Sequence, residues 1–154
     1  MNQKKVLVPF SFNPGEEKAL DFAIHAFKDL EDTTLTLFST YMAVPAVDTQ
    51  SNPVMKRMTE GESYLASELS SLENGLQETK EYLVSNGFPE DRIEVILRER
   101  HNSIADEIIE MAHKGHFSYL VLTRHASGRP PFLGRSVHCK AIANLKDVTV
   151  CVSV

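Results

Sequence analysis

Cysteine is scarce in this chain: Cys139 and Cys151 are the only two, and they form no CxxC pair. A disulfide framework is therefore excluded, a reducing compartment is the simplest setting, and both cysteines read as small buried hydrophobes. Basic residues are outnumbered, with 16 Lys and Arg against 21 Asp and Glu, a net charge of -5. Non-specific nucleic-acid binding needs the opposite balance, so no nucleic-acid partner is expected. Long apolar runs are missing as well. The opening run Val6-Leu-Val-Pro9 is too short for a signal-peptide core or a membrane span, which implies a cytoplasmic protein with no membrane partner. No Ser/His/Asp or Cys/His arrangement, P-loop or metal-ligand cluster stands at a recognisable spacing, so neither catalytic residues nor a metal site are expected. His113 and His116 flank Gly115 near a helix end, where the dipole favours histidine anyway, and no third ligand is close.

What remains is ordinary in amount and informative in order. The 154 residues, 42% apolar, suffice for one domain with a sizeable core. Short apolar runs at 5–9, 34–39, 93–97, 117–123 and 148–152 read as strands, several without the polar alternation of a half-exposed sheet. Between them the residues repeat at helical spacing. Leu20, Ala23, Ile24, Phe27 and Leu30 mark a first helix after Pro14-Gly15, with Glu16 and Glu17 placed to favour its dipole. Met58, Leu65, Leu69, Leu72, Leu76 and Leu83 mark a second from about Met55 to Asn86, stopped by Gly87 and Pro89. This stripe suits a coiled-coil seam or a helix covering a sheet, and core packing is the better account. A third helix, capped by Asn102 or Ser103, carries Ile104, Ile108, Met111 and Ala112 and ends at Gly115. A fourth runs from about Ser136 to Asn144, and the polar segment 43–53 reads as a surface loop. The alternation predicts an α/β fold: an open, parallel, five-stranded sheet with helices on both faces, a Rossmann-like three-layer sandwich over residues 1–154.

The stretch from Tyr119 to Val137 carries the chemistry. A buried strand opens into a loop holding Gly128, Gly134, a Pro130-Pro131 pair and three arginines, Arg124, Arg129 and Arg135. From Arg124 to Lys140 there is no acidic residue, which suits a small anionic ligand better than a polyanion. Strand ends, free N–H groups and a helix N-terminus converge on the crevice at such a point in doubly wound folds.

Three stretches then resemble the universal stress protein family over nearly the whole chain. They are the opening KKVLVPFSFNPGEEKALDFAIHAF, the middle HNSIADEIIEMAHKGHFSYLVLT and the tail FLGRSVHCKAIANLKDVTVCV. The resemblance implies the family's fold, a role in stress response, and ATP or another adenine nucleotide held over the ends of the first and fourth strands. The residues it points to are Pro9, Phe10 and Ser11 after the first strand, with Thr123, Arg124, His125, Gly128, Arg129, Gly134, Arg135, Ser136 and Val137 around the loop. It also implies a homodimer through the last strand, from Val148 to Val154, whose valines alternate with small polar residues at an open edge.

The chain departs from the family's pattern of Gly, two residues, Gly, nine residues, Gly and Ser/Thr. Thr123 and Ala126 stand at the first two glycine positions, and Gly134 falls after only seven residues. Phe10-Ser11 replaces the acidic residue that follows the first strand. A left-handed Ala126 would cost about 1–2 kcal/mol, and two prolines remove N–H donors. Arginines can instead grip phosphate by bidentate bonds. Two readings stand side by side: a non-catalytic nucleotide-binding or sensing dimer, and a nucleotide-independent module that recognises a protein partner.

Overall fold

Val6 and Val8 face one side of the first strand and Leu7 the other, and all three are fully buried. A strand buried on both faces belongs in the centre of a covered parallel sheet. The computed structural model describes residues 2–12, 15–42, 52–124 and 137–154, with the backbone alone over 52–65. Its strands are β1 (Lys4–Pro9), β2 (Thr33–Met42), β3 (Ile93–Arg100), β4 (Tyr119–Thr123) and β5 (Thr149–Ser153). All pair in parallel, in the order β3-β2-β1-β4-β5. Helices α1 (Glu17–Phe27) and α2 (Asn52–Ser85) pack against the face carrying Val6, Val8, Leu35 and Leu37. Helices α3 (Ile104–Lys114) and α4 (Val137–Asn144) pack against the face carrying Leu7, Phe38 and Leu120. The expected three-layer α/β architecture is present.

The boundaries differ where backbone pairing outruns the apolar pattern. β2 and β3 continue to Met42 and Arg100 because Thr40, Tyr41 and Met42 pair with Arg98, Glu99 and Arg100. These mostly half-buried, largely polar residues carry no apolar strand signature, yet the ladder still satisfies their N–H and C=O groups. β4 starts at Tyr119 rather than at 117, since the Phe117 N–H donates to Ala112 in the exit turn of α3. The helix ends at Gly115 as expected, but Gly115 is right-handed (φ -82°), and the left-handed residue is His116 (φ 52°). Gly115 is needed for clearance instead, because a Cβ there would sit 2.4 Å from the Phe117 ring.

Helix α2 begins at Asn52, so the end of the expected 43–53 loop is helical, and residues 43–51 lie outside the described residues. Pro53 fits the first turn, where its missing N–H has no intrahelical partner to lose. The leucine stripe serves the core only in part: Leu76 and Leu83 are buried, whereas Leu69 and Leu72 are half-buried. Gly87 (φ 100°) ends α2 in the left-handed conformation that glycine adopts without strain. The cysteines also divide. Cys151 is half-buried against the α1/α2 core, and burial pushes its thiol upward, but Cys139 is exposed, contrary to expectation. It lies on the outer side of a short helix that buries Ala141 instead.

Candidate functional site

The strand order places the switch point between β1 and β4, where crossovers diverge and leave a crevice beyond the strand ends. Val6 pairs with Tyr119 and Leu7 with Leu120. Phe10 and Ser11 follow the end of β1, and Arg124 follows the end of β4, on the same edge of the sheet.

On the β1 side, each group has a defined task. Phe10 donates its N–H to Phe38 and buries its ring in the α1/α2 core, so its side chain is committed to packing. Pro9 closes the ladder opposite Phe38. Ser11 is exposed, yet both its donors point inward: N–H to Glu16 Oε2 at 2.9 Å and Oγ–H to Glu16 Oε1 at 2.7 Å. Phe12 turns the chain in the left-handed region (φ 62°) and sets its ring edge-on to Phe10, centroids 4.8 Å apart. Gly75 on α2 makes room for that ring, since a Cβ there would lie 2.6 Å from Phe12 Cε1.

On the β4 side, Thr123 Oγ1 is buried with no hydrogen-bond partner among the described residues. Arg124 gives its N–H to Ser153 of β5 at 2.8 Å and leaves its side chain exposed. Val137 opens α4 and packs on the α3/α4 core, so its role is structural. Lys140 reaches Asp106 at 2.8 Å, tying α4 to α3, and this bond with the Ser103 hydroxyl holds the Asp106 carboxyl below the usual range. His125, Gly128, Arg129, Gly134, Arg135 and Ser136, together with Ala126, lie outside the described residues.

At the β3 end, Glu107 is 1% exposed and accepts the N–H groups of His101 and Asn102 at 2.9 and 3.0 Å. Arg98 lies between Glu107 and Glu110, at 4.0 and 3.5 Å. Ser103 caps α3 by accepting from the Asp106 N–H. Glu16 and Glu107 are the two residues that sequence reasoning missed. Glu16 read only as a first-turn acid, and nothing in spacing announces that a carboxylate folds back onto a loop.

Two grooves adjoin the β1 end, one of about 790 Å³ along Ser11, Phe12, Ser67 and Glu78, the other of about 430 Å³ along Phe12, Glu17, Asp21 and Tyr82. Their rims carry carboxylates, which repel an anion, so size does not make them the anion site. The strand-end crevice, with Arg124, has the fitting charge. Among the described residues no group of three or more His, Cys, Asp or Glu could hold a metal ion. No helix among them is long and apolar enough to cross a membrane.

The sequence matches the family described as the universal stress protein family over residues 2–151. Among solved structures, universal stress protein UspA from Lactobacillus plantarum is similar at a TM-score of 0.70, 13% identity, and coverage of 100% of this chain and 99% of that one. A universal stress protein in complex with cAMP gives a TM-score of 0.65 and 16% identity, covering 98% and 96%. The universal stress protein from Archaeoglobus fulgidus in complex with dAMP gives 0.56 and 16%, covering 99% and 98%. At such identities the likeness is one of fold. Comparison with curated protein sequences gives no match.

Proposed function

The chain belongs to the universal stress protein family, and from that premise we propose that it is a stress-response protein that binds an adenine nucleotide without turning it over. The observation that carries this reading is the placement at the switch point, where Ser11 and the exposed Arg124 follow the C-terminal ends of the neighbouring strands β1 and β4. Adenine nucleotides in complexes of two structural neighbours support the ligand class. Arg124 holds phosphate oxygens, and the sequence that follows supplies Arg129 and Arg135 for the same purpose. A buried threonine hydroxyl at the same strand end gives a bound ligand a further polar contact. The protein works in the cytoplasm as a binding module.

Calorimetric titration of the nucleotide-stripped protein with ATP and magnesium, and with AMP, tests the reading. Salt-sensitive binding is expected, and Arg124→Ala weakens it by about tenfold, the size of one lost charged hydrogen bond. Unaltered affinity in Arg124→Ala, Arg129→Ala and Arg135→Ala removes this site from consideration.

The second reading, a nucleotide-independent interaction protein, is favoured by the loop sequence, where Thr123 and Ala126 stand in place of glycines. No heat with any nucleotide, together with a co-purifying protein partner, selects it. Under either reading the assembly is a homodimer through β5. That strand is the sheet's outer edge, with Val152 and Val154 exposed at 36% and 77%. Light scattering is expected to give twice the chain mass, and Val152→Lys to give a monomer.

A further inference from the structure

We propose that the aromatic groove between α1 and α2 is a docking surface for a basic segment of a partner protein, an extended stretch of chain that bears arginines. The surface is separate from Arg124 and does not depend on nucleotide binding.

Two aromatic rings form its walls. Phe12 is 38% exposed and Tyr82 is 40% exposed, and both line the groove of about 430 Å³. Large rings left open to water side by side mark an interaction surface more often than single scattered ones do. Both are already held in place. Phe12 packs edge-on to Phe10 and over Gly75, and Tyr82 donates its O–H to Asp21 Oδ1 at 2.6 Å. Walls fixed before a partner arrives cost little ordering entropy on binding.

The rim decides the sign of the partner. Glu17 and Asp21 stand four residues apart on α1, and Glu78 and Tyr82 four apart on α2, so each pair shares one face of its helix. Among the described residues that line this groove there is no Lys, Arg or His. The Glu78 carboxylate has no hydrogen-bond or ion-pair partner among the described residues. Like charges at this spacing repel, and a cation set between the helices relieves them. A guanidinium stacks on an aromatic face while its edge donates to carboxylates, so arginine is the side chain that satisfies walls and rim together.

Length decides between a small cation and a peptide. The groove of about 790 Å³ shares Phe12, Gly75 and Glu78 with the first and follows α2 back to Ser67, where Glu68 is exposed. From Ser67 to Tyr82 the helix rises about 22 Å. That is the span of about seven extended residues, beyond the reach of a single small cation.

Fluorescence anisotropy of fluorescein-labelled hepta-arginine, titrated with the whole protein, tests the surface. Salt-sensitive binding is expected. Tyr82→Leu and Glu78→Gln should each weaken it about two- to fivefold, the size of one exposed cation–π contact or ion pair. Glu81→Gln makes the same charge change on an exposed residue of α2 outside both grooves, and should leave binding as it was. Equal weakening by Glu81→Gln would mean that the peptide feels only the overall negative charge, and overturns the proposal. So does a wild type that ignores hepta-arginine at low salt. Arginine amide bound as tightly as hepta-arginine overturns the assignment to a protein segment. Should Tyr82→Leu fail to fold, Glu78→Gln against Glu81→Gln decides alone.

Discussion

The two ends of the sheet are built on different principles. At the end where strands begin, cations close the connections against backbone carbonyls. Arg92, in the turn before β3, donates to the carbonyls of Lys28, Leu30 and Thr33 and lies over the Phe88 ring. Lys5 donates to Gly115 at 2.9 Å and covers the Phe117 ring. At the end where strands finish, carboxylates do the closing. Glu16 gathers the donors of Ser11, and Glu107 gathers the N–H groups after β3. One end is sealed by cations onto backbone carbonyls at helix exits and turns, so its role is to hold the chain together. The other keeps Ser11 and Arg124 exposed beside those carboxylate clamps, which is where an open α/β sheet binds ligands.

Arg92→Ala should separate stability from binding most sharply. It removes three carbonyl contacts and is expected to destabilise the fold by about 3 kcal/mol, a fall of roughly 6–12 °C in melting temperature. Nucleotide affinity should not change. Arg92→Lys should recover only part of the loss, because an ammonium lacks the planar fork that reaches several carbonyls together. A melting temperature unchanged in Arg92→Ala would dissolve the contrast between the two ends.

Arg124→Ala is the converse. Its tenfold loss of nucleotide affinity should come with a melting temperature within about 1–2 °C of the wild type, since its side chain is exposed. A large fall in stability would make Arg124 a structural residue and blur the division from the other side.

The smallest effect belongs to the α3/α4 ion pairs. Lys140 and Ser103 hold Asp106 below the ordinary carboxylate range, and Lys114 with Arg98 does the same for Glu110. A lowered folded pKa means stability present above the unfolded value and lost as pH falls through the folded one. Mild acid destabilisation is therefore expected below the usual carboxylate range, and Lys140→Met should remove the Asp106 share of it. Both carboxylates are at the surface, so the change should be small and salt-sensitive in denaturation curves. Identical acid limbs in wild type and variant would show that this pair contributes nothing measurable.

Much of this was legible before any coordinates. Fully apolar runs such as Val6-Leu-Val8 announced buried parallel strands, and Gly87 announced the end of α2. The positions of Ser11 and Arg124 at strand ends followed from those runs. The extent of β2 and β3 was not legible, because Thr40-Tyr41 and Arg98-Glu99 are held by the ladder and not by apolar side chains. The exposure of Cys139 was equally hidden, since an eight-residue helix has little periodicity with which to fix its buried face. Glu16 was visible as an acid near a helix start, but not as the partner of Ser11.

By itself, then, the sequence determined the layer architecture, the family and the strand ends at which a ligand would sit, because burial of apolar periodic segments is a local and additive preference. Only the tertiary structure decided which polar groups meet there. A carboxylate's partners depend on where the turn between them carries the chain, and that turn is held by the packing of Phe10 and Phe12, just after β1, with Gly75 of the distant helix α2.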